Sequence, residues 1–149
     1  MKIMIGVDDS PCSQAALAFV SKLTWPADAS VTIVSSVMLP ASAYLAAYVP
    51  ADLQFNEWLD EVTKFHRDVV ARDERALRHA GIKVESRVLQ GDPRETLVEE
   101  AKRDHVDLLV VGSHGRTGLD KLLMGSVASH VVTHSPCSVL VVKKRAAAG

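Results

Sequence analysis

Four short apolar runs rich in β-branched residues recur along the chain: Ile3-Met4-Ile5-Gly6-Val7, Val31-Thr32-Ile33-Val34, Leu108-Leu109-Val110-Val111 and Val139-Leu140-Val141-Val142. Uninterrupted runs of this length predict strands covered on both faces, as in a parallel sheet. A fifth segment, Ile82 to Val88, mostly alternates apolar with polar residues and predicts a half-exposed edge strand. Between them the period lengthens. Trp58, Leu59, Val62, Phe65, Val69, Ala76, Leu77 and Ala80 recur at intervals of one, three and four with one gap of seven, the stripe of an amphipathic helix. On this spacing Trp58 and Phe65 belong to the core or an interface, and Lys64, Arg67, Asp68, Arg72, Asp73, Glu74 and Arg75 to a solvated face.

Punctuation sharpens these boundaries. Ser10-Pro11 and Asp92-Pro93-Arg94-Glu95 each supply an N-cap followed by a proline at the first helical position, and Gly81 stands where a helix C-terminal glycine belongs. The expected order is β1 (2–8), α1 (11–24), β2 (30–38), α2 (55–80), β3 (83–89), α3 (93–104), β4 (107–112), α4 (126–135) and β5 (138–143). Such alternation specifies an α/β doubly wound parallel sheet with helices on both faces. Leu39 to Phe55 has no clear period and predicts an excursion over one end of the sheet, a candidate lid or partner contact. Residues 143–149 are expected to fray.

Composition then narrows the class. At 149 residues and 48% hydrophobic, the chain fits a single domain with a substantial core. With 17 basic against 18 acidic residues it has no cationic surplus for nucleic acid, so no nucleic-acid partner is expected. Cys12 and Cys137 form no Cys-x-x-Cys pair, which argues against a disulfide framework or zinc knuckle. The first apolar run meets Asp8-Asp9 too soon for a signal peptide, and no run nears the ~18 apolar residues of a membrane span. The expectation is a soluble, cytoplasmic protein with no membrane partner.

Ligands of open α/β sheets lie beyond the carboxyl ends of the strands, where the strand order reverses. The richest such end follows β4: Gly112-Ser113-His114-Gly115-Arg116-Thr117-Gly118 holds three glycines in seven residues, and Gly125 precedes Ser126 at the start of α4. Glycines permit positive φ and close backbone approach, and helix-start N–H groups favour anions. Hydroxyls of Ser113, Thr117 and Ser126 and the guanidinium of Arg116 add donors, so the loop predicts phosphate binding, against an ordinary turn. A P-loop is excluded because Leu119-Asp120, not Lys-Ser/Thr, follows Gly118. A dinucleotide fingerprint is missing after β1.

The pattern Gly112-x2-Gly115-x9-Gly125-Ser126, with Val7-Asp8-Asp9-Ser10 after β1 and Ser135-Pro136-Cys137 leading into β5, resembles the ATP-binding signature of the universal stress protein family. The resemblance covers nearly the whole chain and implies a five-stranded sheet in the order 3-2-1-4-5. It implies that Gly112, Gly115, Gly125 and Ser126 hold ribose and phosphates. Asp8 is then the acidic position after β1, Gly6 borders the base, and the backbone of Val37 reads the adenine edge. Ser113, His114, Arg116, Thr117 and Gly118, with Val127-Ala128, would line the triphosphate. A carboxylate beside a triphosphate needs a cation or a ribose hydroxyl between them, which calls for Mg²⁺ held through the phosphates and Asp8. Relatives of this kind commonly dimerise through β5, and an uncovered apolar edge at Val139–Val142 needs a partner, so a homodimer is expected.

Adjacent Asp8 and Asp9 diverge and make no acid–base dyad. His114 either bonds a phosphate or caps a turn. His130 and His134 are surface residues without a third metal ligand, and Cys12 is either a thiol with its pKa lowered by the start of α1 or, as expected, buried and inert. The function implied is an ATP-binding regulatory or stress-response module. The alternatives are a weak ATPase or phosphotransferase, which lacks an evident general base, and a nucleotide-free dimeric structural stress protein, which the intact glycine pattern disfavours.

Overall fold

The computed structural model describes residues 1–40, 53–116 and 124–144, with the side chains of 53 and 54 excepted. Its elements are β1 (Lys2–Gly6), α1 (Pro11–Lys22), β2 (Ser30–Val37), α2 (Leu53–His79), β3 (Val84–Gln90), α3 (Pro93–Arg103), β4 (Leu108–Gly112), α4 (Ser126–His134) and β5 (Ser138–Val142). All strand pairs are parallel, and the sheet order is β3-β2-β1-β4-β5. The alternating β3 and the apolar β5 are the two edges.

Both faces of the sheet are covered. Ile3, Ile5, Val31 and Ile33 meet Ala16, Leu17 and Val20 of α1 and Val69, Val70 and Leu77 of α2. Met4, Val34, Leu109 and Val111 meet Leu97 and Ala101 of α3 and Ala128 and Val131 of α4. Consecutive strand residues thus feed opposite cores, which is why these strands are apolar at every position. The caps lie where the sequence places them: Ser10 Oγ accepts from the Ser13 N–H (3.1 Å), and Asp92 Oδ1 from the Arg94 N–H (2.9 Å). Gly81 has φ +78° and nothing within 4 Å of a hypothetical Cβ, so backbone conformation is its constraint.

Two details differ from the expected pattern. β1 ends at Gly6, because the chain turns sharply at Asp9, whose φ is +64°. The buried stripe of α2 runs through His66, Val69, Val70, Asp73 and Leu77, while Trp58 and Phe65 are 37% and 39% exposed. Two polar residues are therefore inside and two aromatics outside. His66 and Asp73 can be buried because each has hydrogen-bond partners there. Trp58 stacks on Phe55, with ring centroids 5.7 Å apart. Asp73, 1% exposed, does not belong to the solvated face expected of it.

Candidate functional site

β1 pairs with β2 on one side and β4 on the other, so the connections leaving these neighbours diverge and open a crevice between them. A cavity of about 480 Å³ occupies it. One wall is apolar: Val34, Leu97, Val111 and Ala128 extend the core beneath α3 and α4, with Val127 packed against it. The other is polar, formed by Asp8, Ser10 and Ser13 of the β1–α1 turn and by the backbone after β4.

That polar wall is held together by a few bonds. Asp8 Oδ1 accepts from the Ser10 N–H (3.0 Å) and Oδ2 from the Arg116 N–H (3.1 Å), while Ser10 Oγ donates to the His114 carbonyl (3.2 Å). Gly125 donates its N–H to the Ser113 carbonyl (2.8 Å), which brings the start of α4 back onto the loop. Asp8 thus grips the glycine loop by its backbone. The side chains of Asp8 and Asp9 diverge, as their adjacency requires.

The structure brings together Gly6, Asp8, Gly112, His114, Gly115, Arg116, Gly125, Ser126, Val127 and Ala128 around one cavity. Thr117 and Gly118 lie outside the described residues. Ser113 and Val37 do not line it among the described residues. Ser113 is buried, its Oγ 3.0 Å from His114 Nδ1 and 3.6 Å from Cys12 Sγ. Val37 is fully buried within β2, and its carbonyl accepts from the Gly91 N–H (3.0 Å). Ser36, at the carboxyl end of β2, lines the cavity too, as do Ser13, Val34, Leu97 and Met124, which the sequence pattern did not single out. A strand's apolar run cannot say which of its members reaches a crevice, since that depends on the neighbouring helices.

Gly112, Gly115 and Gly125 serve close approach and not positive φ, which among the described glycines belongs to Gly81 and Gly91. A Cβ on Gly112 would lie 2.6 Å from the Cys12 carbonyl carbon, and one on Gly125 3.1 Å from the Ser113 carbonyl oxygen. A Cβ on Gly115 would meet only Asp8 Oδ2, at 2.9 Å. A Cβ on Gly6 would press on the Leu97 side chain at 2.8 Å.

Around the cavity several groups are electrostatically tuned. Arg116 lays its guanidinium over the Phe65 ring, 5.2 Å from the centroid, docking the loop on α2. Ser35 Oγ has one proton and donates it to the Val7 carbonyl (2.8 Å), so it must accept from His66 Nδ1–H (2.7 Å), which fixes the tautomer of neutral His66. Burial, followed by the charge of Arg116, holds the His66 pKa below its ordinary value against the opposing pull of Asp8. Burial works against a Cys12 thiolate, but hydrogen bonds from the Lys144 backbone, Ser113 and His114 outweigh it and lower the thiol pKa. Cys12 is half-buried, and both cysteines are free. His130 and His134 stack at 4.1 Å, and His130 Nε2 lies 3.2 Å from Glu95 Oε1. Among the described residues, no three His, Cys, Asp or Glu side chains gather as for a metal ion. None of the helices described is long and apolar enough to cross a membrane.

Strand order and crevice together define a doubly wound α/β domain with an amphipathic cavity at its switch point. The profile of the universal stress protein family matches residues 1–143, and the chain belongs to that family. It is 31% identical over 144 residues to universal stress protein MJ0531 of Methanocaldococcus jannaschii, covering 96% of this chain and 82% of that one. The solved structure of MJ0577, the subject of a structure-based assignment of biochemical function, superposes with a TM-score of 0.84 at 27% identity, over 98% and 97% of the two chains. A universal stress protein crystallised with cAMP superposes with a TM-score of 0.64 at 25% identity, over 95% of each chain.

Proposed function

We propose that the cavity holds an adenine nucleotide, ATP first, and that the protein is a nucleotide-binding regulatory module of the stress response. The observation that carries this is the start of α4. α1 and α3 are capped by the side chains of Ser10 and Asp92, whereas Gly125 brings no side chain to the first-turn N–H groups of α4 at the cavity wall. An anion would complete that terminus. The apolar wall of Val34, Leu97 and Val111 offers a flat base the surface it needs, so one cavity has both halves of a nucleotide site. The cAMP held by a relative of the same fold supports the adenine class. Both Asp8 oxygens already accept backbone N–H groups, and each keeps a lone pair for Mg²⁺ riding on the phosphates.

The site is built for holding more than for cleaving. Asp8 is pinned as an acceptor, and the P-loop lysine is missing, so hydrolysis stays below about one turnover per second, the low end of ordinary enzymes. Titration calorimetry with millimolar ATP-Mg is expected to give saturable heat that ADP competes away. Absence of both heat and competition would end this reading. Mass spectrometry of ligand released from the purified protein would identify which adenine nucleotide is carried.

The β5 edge supports a homodimer: Val139, Leu140 and Val141 are only half-buried, and among the described residues no strand pairs with β5 on its outer side. Light scattering at micromolar concentration should give twice the 16.1 kDa chain mass, and a monomer there overturns the dimer. With two free thiols, the protein suits the reducing cytoplasm.

A further inference from the structure

We propose that Arg72 of α2 is a positioning residue for the cavity: it clamps the left-handed turn at Asp9 and thereby sets where Asp8 holds the glycine loop. Asp9, at φ +64°, occupies the left-handed region, which Asp tolerates better than most residues with a Cβ but still at a cost that glycine does not have. Something must hold it there. Arg72 Nη1 lies 2.8 Å from Asp9 Oδ1, and Gln14 Nε2 of α1 approaches the same oxygen at 3.4 Å. Arg72 is fixed in turn, since its Nε and Nη2 both reach Asp73 Oδ1 at 2.9 Å.

Asp73 makes this a rigid anchor. It is 1% exposed, so its carboxylate cannot swing out to water, and its geometry dictates where the guanidinium fork points. Burial raises its pKa above the ordinary carboxylate value, and the hydrogen bond and charge of Arg72 offset that only in part. The Arg72 side chain, 45% exposed, is not among the residues that line the cavity, so it acts through Asp9 and not on a ligand. The chain of contacts is continuous. Asp73 fixes Arg72, Arg72 fixes Asp9, and the turn at Asp9 sets the Asp8 carboxylate that holds the Ser10 and Arg116 N–H groups.

The inference rests on the nucleotide reading for its ligand but not for its geometry, and two readouts separate them. In Arg72→Met, hydrogen exchange at the Arg116 and Ser10 amides should accelerate about tenfold while amides of β1 and β4 keep their protection, the signature of a local opening. ATP-Mg affinity, measured well below the melting temperature, should fall about tenfold, the scale of coupling between contacting residues. Asp9→Gly relieves the conformational demand, because glycine adopts φ +64° freely, so Arg72→Met/Asp9→Gly should recover most of both losses. If Arg72→Met does not fold, Arg72→Lys, which can meet one carboxylate but not both, serves with smaller effects of the same sign. Unchanged amide protection in a folded variant overturns the clamp, as does a loss that Asp9→Gly leaves unrepaired. Should the wild-type chain bind no nucleotide, the functional reading falls while the exchange data still decide the clamp.

Discussion

Gly112→Ala is expected to destabilise the domain by about 3 kcal/mol, the upper range of overpacking, whereas Gly115→Ala three residues later should change stability by about 1 kcal/mol or less. The difference lies in what each new methyl meets. At Gly112 it would sit 2.6 Å from the carbonyl carbon of Cys12 and 2.8 Å from the Ser13 nitrogen, both backbone atoms of the first turn of α1. That turn cannot retreat, because Ala16, Leu17 and Val20 anchor the helix in the core and Ser10 caps it. β4 cannot retreat either, held between β1 and β5. At Gly115 the new methyl meets only Asp8 Oδ2, a side-chain atom that can shift by a few tenths of an ångström at the cost of lengthening its bond from the Arg116 N–H. Urea unfolding reads the contrast directly. Equal stability of the two variants would mean that Gly112 is not required by its packing against α1.

Asp8→Ala is expected to weaken ATP-Mg binding by about 10- to 100-fold while the domain stays folded, since hydrogen bonds to a charged group are worth about 1.5–3 kcal/mol each. The carboxylate is the tie between the β1–α1 turn and the loop after β4, through Ser10 on one oxygen and Arg116 on the other. Without it the loop loses its seat at the cavity wall, and Mg²⁺ would lose the ligand proposed for it. Asp8→Asn should fall between, because its amide oxygen can still accept from Ser10 but its NH₂ faces the Arg116 N–H, donor against donor. Calorimetry on the three proteins would order the affinities wild type, Asn, Ala. Equal affinities would remove Asp8 from the site.

Much of this was legible along the chain. The apolar runs mark the central strands because a strand buried on both faces needs apolar residues at every position, and β3 betrays itself as an edge by alternating. Ser10, Asp92 and Gly81 mark helix ends because capping is local chemistry within three or four residues. The glycine spacing after β4 locates the crevice, although the reason proved to be contact with α1 and with the loop itself more than positive φ. Periodicity misjudged part of α2: counting apolar residues gave Phe65 a place in the core or an interface and put Asp73 on the solvated face. The buried stripe keeps Val69 and Leu77 but also takes in His66, bonded to Ser35, and Asp73, whose partner Arg72 is itself partly exposed.

What the sequence by itself determined is therefore the local grammar: element order, strand type, caps, and the glycine loop at a sheet's carboxyl end. Each is set by residues a few positions apart. The tertiary structure decided which of those residues share a cavity, why Gly112 must be glycine, and how Asp9 is held in its left-handed turn by Arg72, sixty-three positions away. Such contacts join elements that meet only when the sheet assembles, and local periodicity carries no record of which side chains will face each other across it.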